Sequence, residues 1–290
     1  MVHATIEKIL DRVGDSVSCR DPMHAPFAAV VPWSYQGMGS LSVVRRAHSP
    51  TCLSSVSGGG LVPEIYVKRR REIGDGATAG RRPHRALAGS GFELRPNGTL
   101  RFWARTGCAF DPFSASGTCD TGDCGGALRC TVGGSPPVTL AEFTLAGPTS
   151  GDQDFYDVSL VDGYNVGVAV RPSSAAAGGG RGGGGNCRYT GCAADVNAQC
   201  PAEWRVTGAS GETVACRSAC EAFRAAEYCC TGAHSSPASC GPSRHSQLFK
   251  AACPAAYSYA YDDVTSTFTC AAGTAGYIVT FCPSSADAKS

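Results

Sequence analysis

The chain has 290 residues with 25 Lys+Arg against 24 Asp+Glu, a formal charge of +1, so no overall charge marks it for nucleic acid. Its 37 Gly, 17 Pro and 17 Cys, with only 17% charged residues, describe a turn-rich, covalently tied chain, and the starting expectation is β structure rather than helix. The cysteines point to an oxidising compartment, because cytosolic glutathione keeps thiols reduced.

The two ends differ. Residues 1–90 carry 12 Lys+Arg and 7 Asp+Glu, whereas residues 91–290 carry 13 and 17; only Cys19 and Cys52 precede residue 100. The opening MVHATIEKILDRVGDSV places Glu7, Lys8, Asp11, Arg12 and Asp15 where a signal peptide has its apolar core, so no such core can be drawn through it. No stretch approaches the roughly 18 apolar residues of a membrane span. Residues 1–90 show no sustained period beyond one or two helical turns at Ile6, Ile9, Leu10 and Val13, and read as an atypical, poorly ordered segment. The basic run VKRRR from Val67 to Arg71, extended by Arg81, Arg82 and Arg85, reads as a solvated, disordered stretch in preference to a nucleic-acid patch.

From Gly91 the texture changes to short alternating segments separated by turns. Thr99 to Thr106 (TLRFWART), Phe155 to Val170 on both sides of the Asp162-Gly163 turn signal, and Tyr277 to Cys282 (YIVTFC) read as strands of a sandwich. Ser173 to Gly185 (SSAAAGGGRGGGG) predicts a flexible loop, since glycine loses the most entropy on ordering. Ser218 with Glu221 has the form of a capping box, and Phe223, Ala226, Tyr228 and Cys229 supply an apolar face, which predicts one short helix pinned by disulfides. Two histidines, His234 and His245, lie among these cysteines without paired C-x-x-C units, so disulfides are preferred to zinc. No G-x-S-x-G or H-E-x-x-H occurs, which leaves serine-hydrolase and metalloprotease chemistry without a motif. Asn97-Gly98-Thr99 is an N-glycosylation sequon.

Carboxylates at Glu142, Asp157, Asp162 and Asp262 lie on or beside the predicted strands among apolar residues, where they must be solvated in a cleft or paired. Such a cleft suits a polyhydroxylated sugar: carboxylates accept hydrogen bonds from hydroxyls, and rings such as Tyr156, Tyr164 or Phe249 are candidates to stack on the sugar. Two carboxyls could also hydrolyse a glycosidic bond, with Glu142 as acid and Asp157 as its partner.

WARTGCAFD (103–111), GTCDTGDCGGALRC (117–130), TLAEF (139–143), DFYDVSLVDGYNV (154–166), AADVNAQCP (193–201), EYCC (227–230) and DDVTSTFTC (262–270) follow one another in an order that resembles the thaumatin-like proteins, the fifth family of pathogenesis-related proteins. The resemblance implies a mainly β fold over residues 91–290, a thaumatin-like β-sandwich with a disulfide-rich lobe at about 194–253 containing a short helix. It implies the pairs Cys108–Cys119, Cys124–Cys130, Cys187–Cys270, Cys192–Cys253, Cys200–Cys216, Cys220–Cys229 and Cys230–Cys240, with Cys282 left over for want of the family's first strand. Without that N-terminal part the sandwich is expected to lack edge strands. The family's acidic cleft is lined by an arginine, a glutamate and three aspartates, which fall here on Arg101, Glu142, Asp157, Asp162 and Asp262. The implied function is a secreted, monomeric plant defence protein, antifungal, that binds β-1,3-glucan or another fungal wall polysaccharide through this cleft, with a membrane surface as a further target. No cofactor, metal or nucleic acid is implied. The alternatives are a weak endo-β-1,3-glucanase and an inhibitor of a digestive amylase or protease.

Overall fold

A computed structural model describes residues 40–45, 62–69, 84–85, 91–93, 98–111, 113–114, 116–128, 130, 132–146, 153–172, 186–272 and 276–284. Fifteen strands are described: β1 (Ser40–Arg45), β2 (Val62–Arg69), β3 (His84–Arg85), β4 (Gly91–Glu93), β5 (Gly98–Arg105), β6 (Ala109–Phe110), β7 (Gly117–Thr118), β8 (Leu140–Leu145), β9 (Gln153–Ser159), β10 (Val168–Pro172), β11 (Thr190–Gly191), β12 (Arg205–Thr207), β13 (Thr213–Cys216), β14 (Phe268–Ala271) and β15 (Tyr277–Phe281). They form a six-stranded sheet in the order β14-β9-β8-β5-β2-β3, a five-stranded sheet in the order β11-β10-β15-β1-β4, and two small ribbons.

The two larger sheets face each other. Alternate residues of β5, β8 and β9 (Leu100, Phe102, Phe143, Tyr156, Val158) share one core cluster with Val168, Val170, Tyr277, Val279 and Phe281 of the opposite sheet. The rings of Phe143 and Tyr156 lie 5.2 and 5.1 Å from that of Tyr277, within the range where aromatic pairs gain beyond simple area burial. Period-two alternation explains the arrangement: each strand puts every second side chain inward and leaves the intervening ones to solvent. The Asp162-Gly163 turn does not close a hairpin, since β9 pairs with β8 and β14 while β10 pairs with β11 and β15; the turn carries the chain from one sheet to the other.

Three segments before residue 91 take part in these sheets, contrary to the expectation of missing edges. β2 runs the full length of β5, from Val62 opposite Arg105 to Arg69 opposite Gly98, so the first part of the basic run is paired strand rather than disordered. β1 lies parallel to β15 and antiparallel to β4. The reason they escape a local reading is that their partners are distant in sequence: a charged segment such as VPEIYVKR becomes a strand by pairing with β5. Cys19, Cys52, Asn97 and the segment 173–185 lie outside the described residues.

Seven disulfides join Cys108–Cys119, Cys124–Cys130, Cys187–Cys270, Cys192–Cys253, Cys200–Cys216, Cys220–Cys229 and Cys230–Cys240, the same pairs that the resemblance implies. Cys282, expected to be left over, is disulfide-bonded as well. The lobe contains α1 (Val196–Gln199), α2 (Ala219–Phe223), α3 (Ala226–Cys229) and α4 (Arg244–Ala252). Ser218 caps α2 by accepting from the Glu221 backbone N–H, but the predicted single helix is broken at Arg224, whose φ of 51° is left-handed. The longest described helix, α4, was missed; its capping box pairs Ser243 with Ser246 instead of the usual Glu or Gln.

Candidate functional site

The register of three adjacent strands brings Arg101, Glu142 and Asp157 into one transverse row. Arg101 of β5 lies opposite Glu142 of β8, and Glu142 opposite Asp157 of β9. Directly opposed residues share a sheet face with Cβ atoms about 4.5–5.5 Å apart, so the row is a consequence of pairing alone. It lies on the face away from the core, because Phe102, Phe143 and Tyr156 next to these residues point inward. Arg101 Nε donates to Glu142 Oε1 at 2.5 Å.

Asp162 enters from the turn after β9. That turn is held by a bond from the Val138 N–H to the Asp162 carbonyl and by Gly163, whose φ is +93°; a Cβ there would meet Pro137 Cβ at 2.7 Å and the Cys216 carbonyl at 2.8 Å. The turn is therefore specified by glycine for both conformation and space. Asn165 anchors it from behind. Its side-chain oxygen accepts from the N–H groups of Thr139 (3.1 Å) and Val166 (2.9 Å), and its amide donates to the Ala104 carbonyl and Thr121 Oγ1, both at 2.9 Å.

The carboxyls repel one another and are poorly solvated. Burial, then the charge of Glu142, push Asp157 well above the usual carboxylate range, with Arg101 opposing. Asp157 Oδ1 is buried and has no hydrogen-bond partner. Burial also raises Glu142, against the attraction of Arg101, and raises Asp162. Burial thus acts on Glu142 and Asp157 in the same direction, and the arginine's bond goes to the glutamate.

Asp262 sits apart in its interactions. It stands at the N-cap position of α5 (Asp263–Ser266) without a side-chain capping bond and forms an ion pair with Lys250 at 2.9 Å; the backbone N–H and hydroxyl of Ser258 donate to it at 3.0 and 2.8 Å. Its charge is already satisfied within the fold. The neighbouring exposed Asp263 is the residue whose charge reaches Asp157, and it accepts a 2.8 Å bond from the Tyr257 hydroxyl, which also contacts Thr267 Oγ1.

The profile of the thaumatin family matches residues 80–283. The chain belongs to the thaumatin family. Relatives include pathogenesis-related thaumatin-like protein 3.5 of Cryptomeria japonica, 55% identical over 210 residues covering 69% of this chain and 80% of the relative. Pathogenesis-related protein 5 of Arabidopsis thaliana is 54% identical over 218 residues, covering 72% and 84%. A solved thaumatin-like xylanase inhibitor aligns over 84% of this chain and 99% of its own, at 19% identity and a TM-score of 0.38. The protein is thus a member of a pathogenesis-related defence family with the thaumatin fold.

Of the rings considered for sugar stacking, none is available: Tyr156, Tyr164 and Phe249 are 0, 4 and 2% exposed and belong to the core. Partly exposed rings near the acidic row include Tyr257 and Tyr259, whose environments include Asp157 or the Asp262–Asp263 pair, and Phe155, which shares the outer face of β9 with Asp157. The spacing Tyr257-x-Tyr259-x-Tyr261 just before two aspartates was the signal that could have found the two tyrosines. Among the described residues no group of three or more His, Cys, Asp or Glu is arranged to hold a metal ion.

Proposed function

We propose that this thaumatin-family member is a defence protein acting outside the cell, where it binds β-1,3-glucan of fungal walls as a monomer. The observation that carries the reading is the row of Arg101, Glu142 and Asp157 on the outer sheet face, with Asp162 and Asp263 beside it. A neutral polyol gains from such a row because an arginine donates, a carboxylate accepts and a protonated carboxyl does both, while Tyr257 and Tyr259 offer ring faces. The dense disulfides support an extracellular setting.

The direct test is a pull-down of the oxidised protein on insoluble β-1,3-glucan, with free thiols counted on the same sample. Binding by wild type, weakened by Glu142→Gln and by Asp157→Asn, is the expected result. A fully oxidised sample that stays in the supernatant overturns the reading and leaves inhibition of an amylase or protease as the function to assay.

The raised Asp157 beside the Arg101-paired Glu142 favours a second reading, weak endo-β-1,3-glucanase activity, since acid and anion are then held side by side. Reducing-sugar release by wild type that disappears in Glu142→Gln at loadings that offset its weaker pull-down would identify chemistry; no release from wild type excludes it.

A further inference from the structure

The acidic row holds more carboxyls than cations. Glu142 and Asp157 stand directly opposite each other on β8 and β9; Asp162 adds its charge to that of Glu142, and Asp263 of α5 adds its own to that of Asp157. Arg101 of β5 is the cation that acts on Glu142, Asp157 and Asp162 alike, and its Nε bond goes to Glu142. Asp157 Oδ1, buried and without a partner, receives no donor for the charge that ionisation would place there.

The other elements packed against β9 bring Asp157 no countercharge among the described residues. Tyr257, on the segment that bridges β9 at Ser159, turns its hydroxyl to Asp263 and Thr267, and β14 along the other edge carries Phe268, Thr269, Cys270 and Ala271, none of them charged. Two buried carboxyls side by side do not both ionise readily, and such a pair titrates as a unit. Burial opposes the charged form of each.

Covering the row with a sugar removes the water that solvates these charges, and an uncharged polyol returns only hydroxyl dipoles. A pair that keeps one proton brings one anion fewer to that step and offers an O–H donor as well as acceptors. We infer that the row binds an uncharged sugar in one protonation state, with a single proton held between Glu142 and Asp157, so that raising the pH weakens binding. The inference rests on the glucan-binding reading above and adds the regulation of that site: acidity sets its occupancy.

Calorimetric titration of the full oxidised protein with a β-1,3-linked hexasaccharide, at about pH 5 and about pH 8 and in buffers of different ionisation enthalpy, tests it. One linked proton limits the loss to about ten-fold per pH unit; wild type loses roughly ten-fold or more over the interval and takes up a fraction of a proton per sugar at the upper pH. Glu142→Gln and Asp157→Asn, which leave Arg101 facing one ionisable member of the pair, bind more weakly in acid but lose no more than about two-fold over the interval. Proton uptake is read on wild type, so it decides the matter even where a variant fails to fold. Affinity that stays constant or rises with pH, binding without proton uptake, or a decline undiminished in both variants overturns the switch and leaves glucan binding standing. If wild type binds at neither pH, both readings fall together.

Discussion

Replacing Asn165 by alanine removes a side chain that is 1% exposed and makes four hydrogen bonds linking β5, the loop at Thr121, the approach to β8 and the turn bearing Asp162. Alanine leaves the Thr139 and Val166 N–H groups without their acceptor in a buried setting. Each orphaned group costs about 1–3 kcal/mol, so the two together with the small cavity give a loss of about 3–4 kcal/mol. For a domain of this size that lowers Tm by roughly 10 °C. The assay is urea unfolding of the disulfide-intact protein followed by tryptophan fluorescence, with thermal melts alongside. Asn165→Asp provides the control, because it keeps an acceptor for the two N–H groups but sets an oxygen against the Ala104 carbonyl; its loss should depend on pH and be smaller in acid. A loss below about 1 kcal/mol in Asn165→Ala, with the unfolding slope unchanged, would show that water or rearrangement satisfies these groups and would refute the argument.

Because the folded pKa of Asp157 is raised, its contribution to stability is complete below the ordinary carboxylate pKa and is lost as pH rises through the folded value; Asp157→Asn should therefore raise Tm at neutral pH and flatten its fall above about pH 4, and an unchanged pH profile sinks this account. Lys250 bonds to Asp262 (2.9 Å), the Ala256 carbonyl (3.1 Å) and Ser266 Oγ (2.8 Å), so Lys250→Met strands a charge whose side chain is 11% exposed and should cost about 2–3 kcal/mol in a denaturant titration. Adding Asp262→Asn should recover part of that loss; strict additivity of the two changes would contradict the pairing. Among the disulfides, removing Cys187–Cys270, whose 83-residue span is cut to roughly 23 by the enclosed Cys192–Cys253 bridge, should cost about 3.5 kcal/mol against about 2.5 kcal/mol for Cys220–Cys229, which spans 9; the reverse order in matched Cys→Ala pairs would rule out loop entropy as the main term.

How much of this was legible in the sequence differed by element. β5, β9 and β15 announced themselves by alternation, since one face of each is buried and the other is wet. The row of Arg101, Glu142 and Asp157 needed only the family motifs to be found, but its electrostatics required the register: nothing local says that Arg101 pairs with Glu142 and leaves the neighbouring Asp157 Oδ1 unpartnered. The different partners of Asp262 and Asp263 were likewise invisible, because they turn on Lys250, Ser258 and Tyr257 reaching one aspartate or the other. Stacking rings were misassigned because apolarity marks a residue for the core as readily as for a ligand; Tyr156, bonded to the Arg188 backbone through its hydroxyl, is a core residue with a satisfied polar tip. α4 was missed because a serine fulfils the role that glutamate usually plays in the cap.

The parallel pairing of β1 with β15 has a consequence for biogenesis. Residues Leu41 to Arg45 align with Tyr277 to Phe281, the greatest separation along the chain of any strand pair described. Until β15 emerges, β10 and β1 share no neighbour between them, and the five-stranded sheet is two fragments with open hydrogen-bonding edges. Synthesis and sheet closure are thereby coupled: a chain interrupted before Tyr277 lacks a central strand, and newly made protein depends on Tyr277–Phe281 to stop recruiting other chains along those edges.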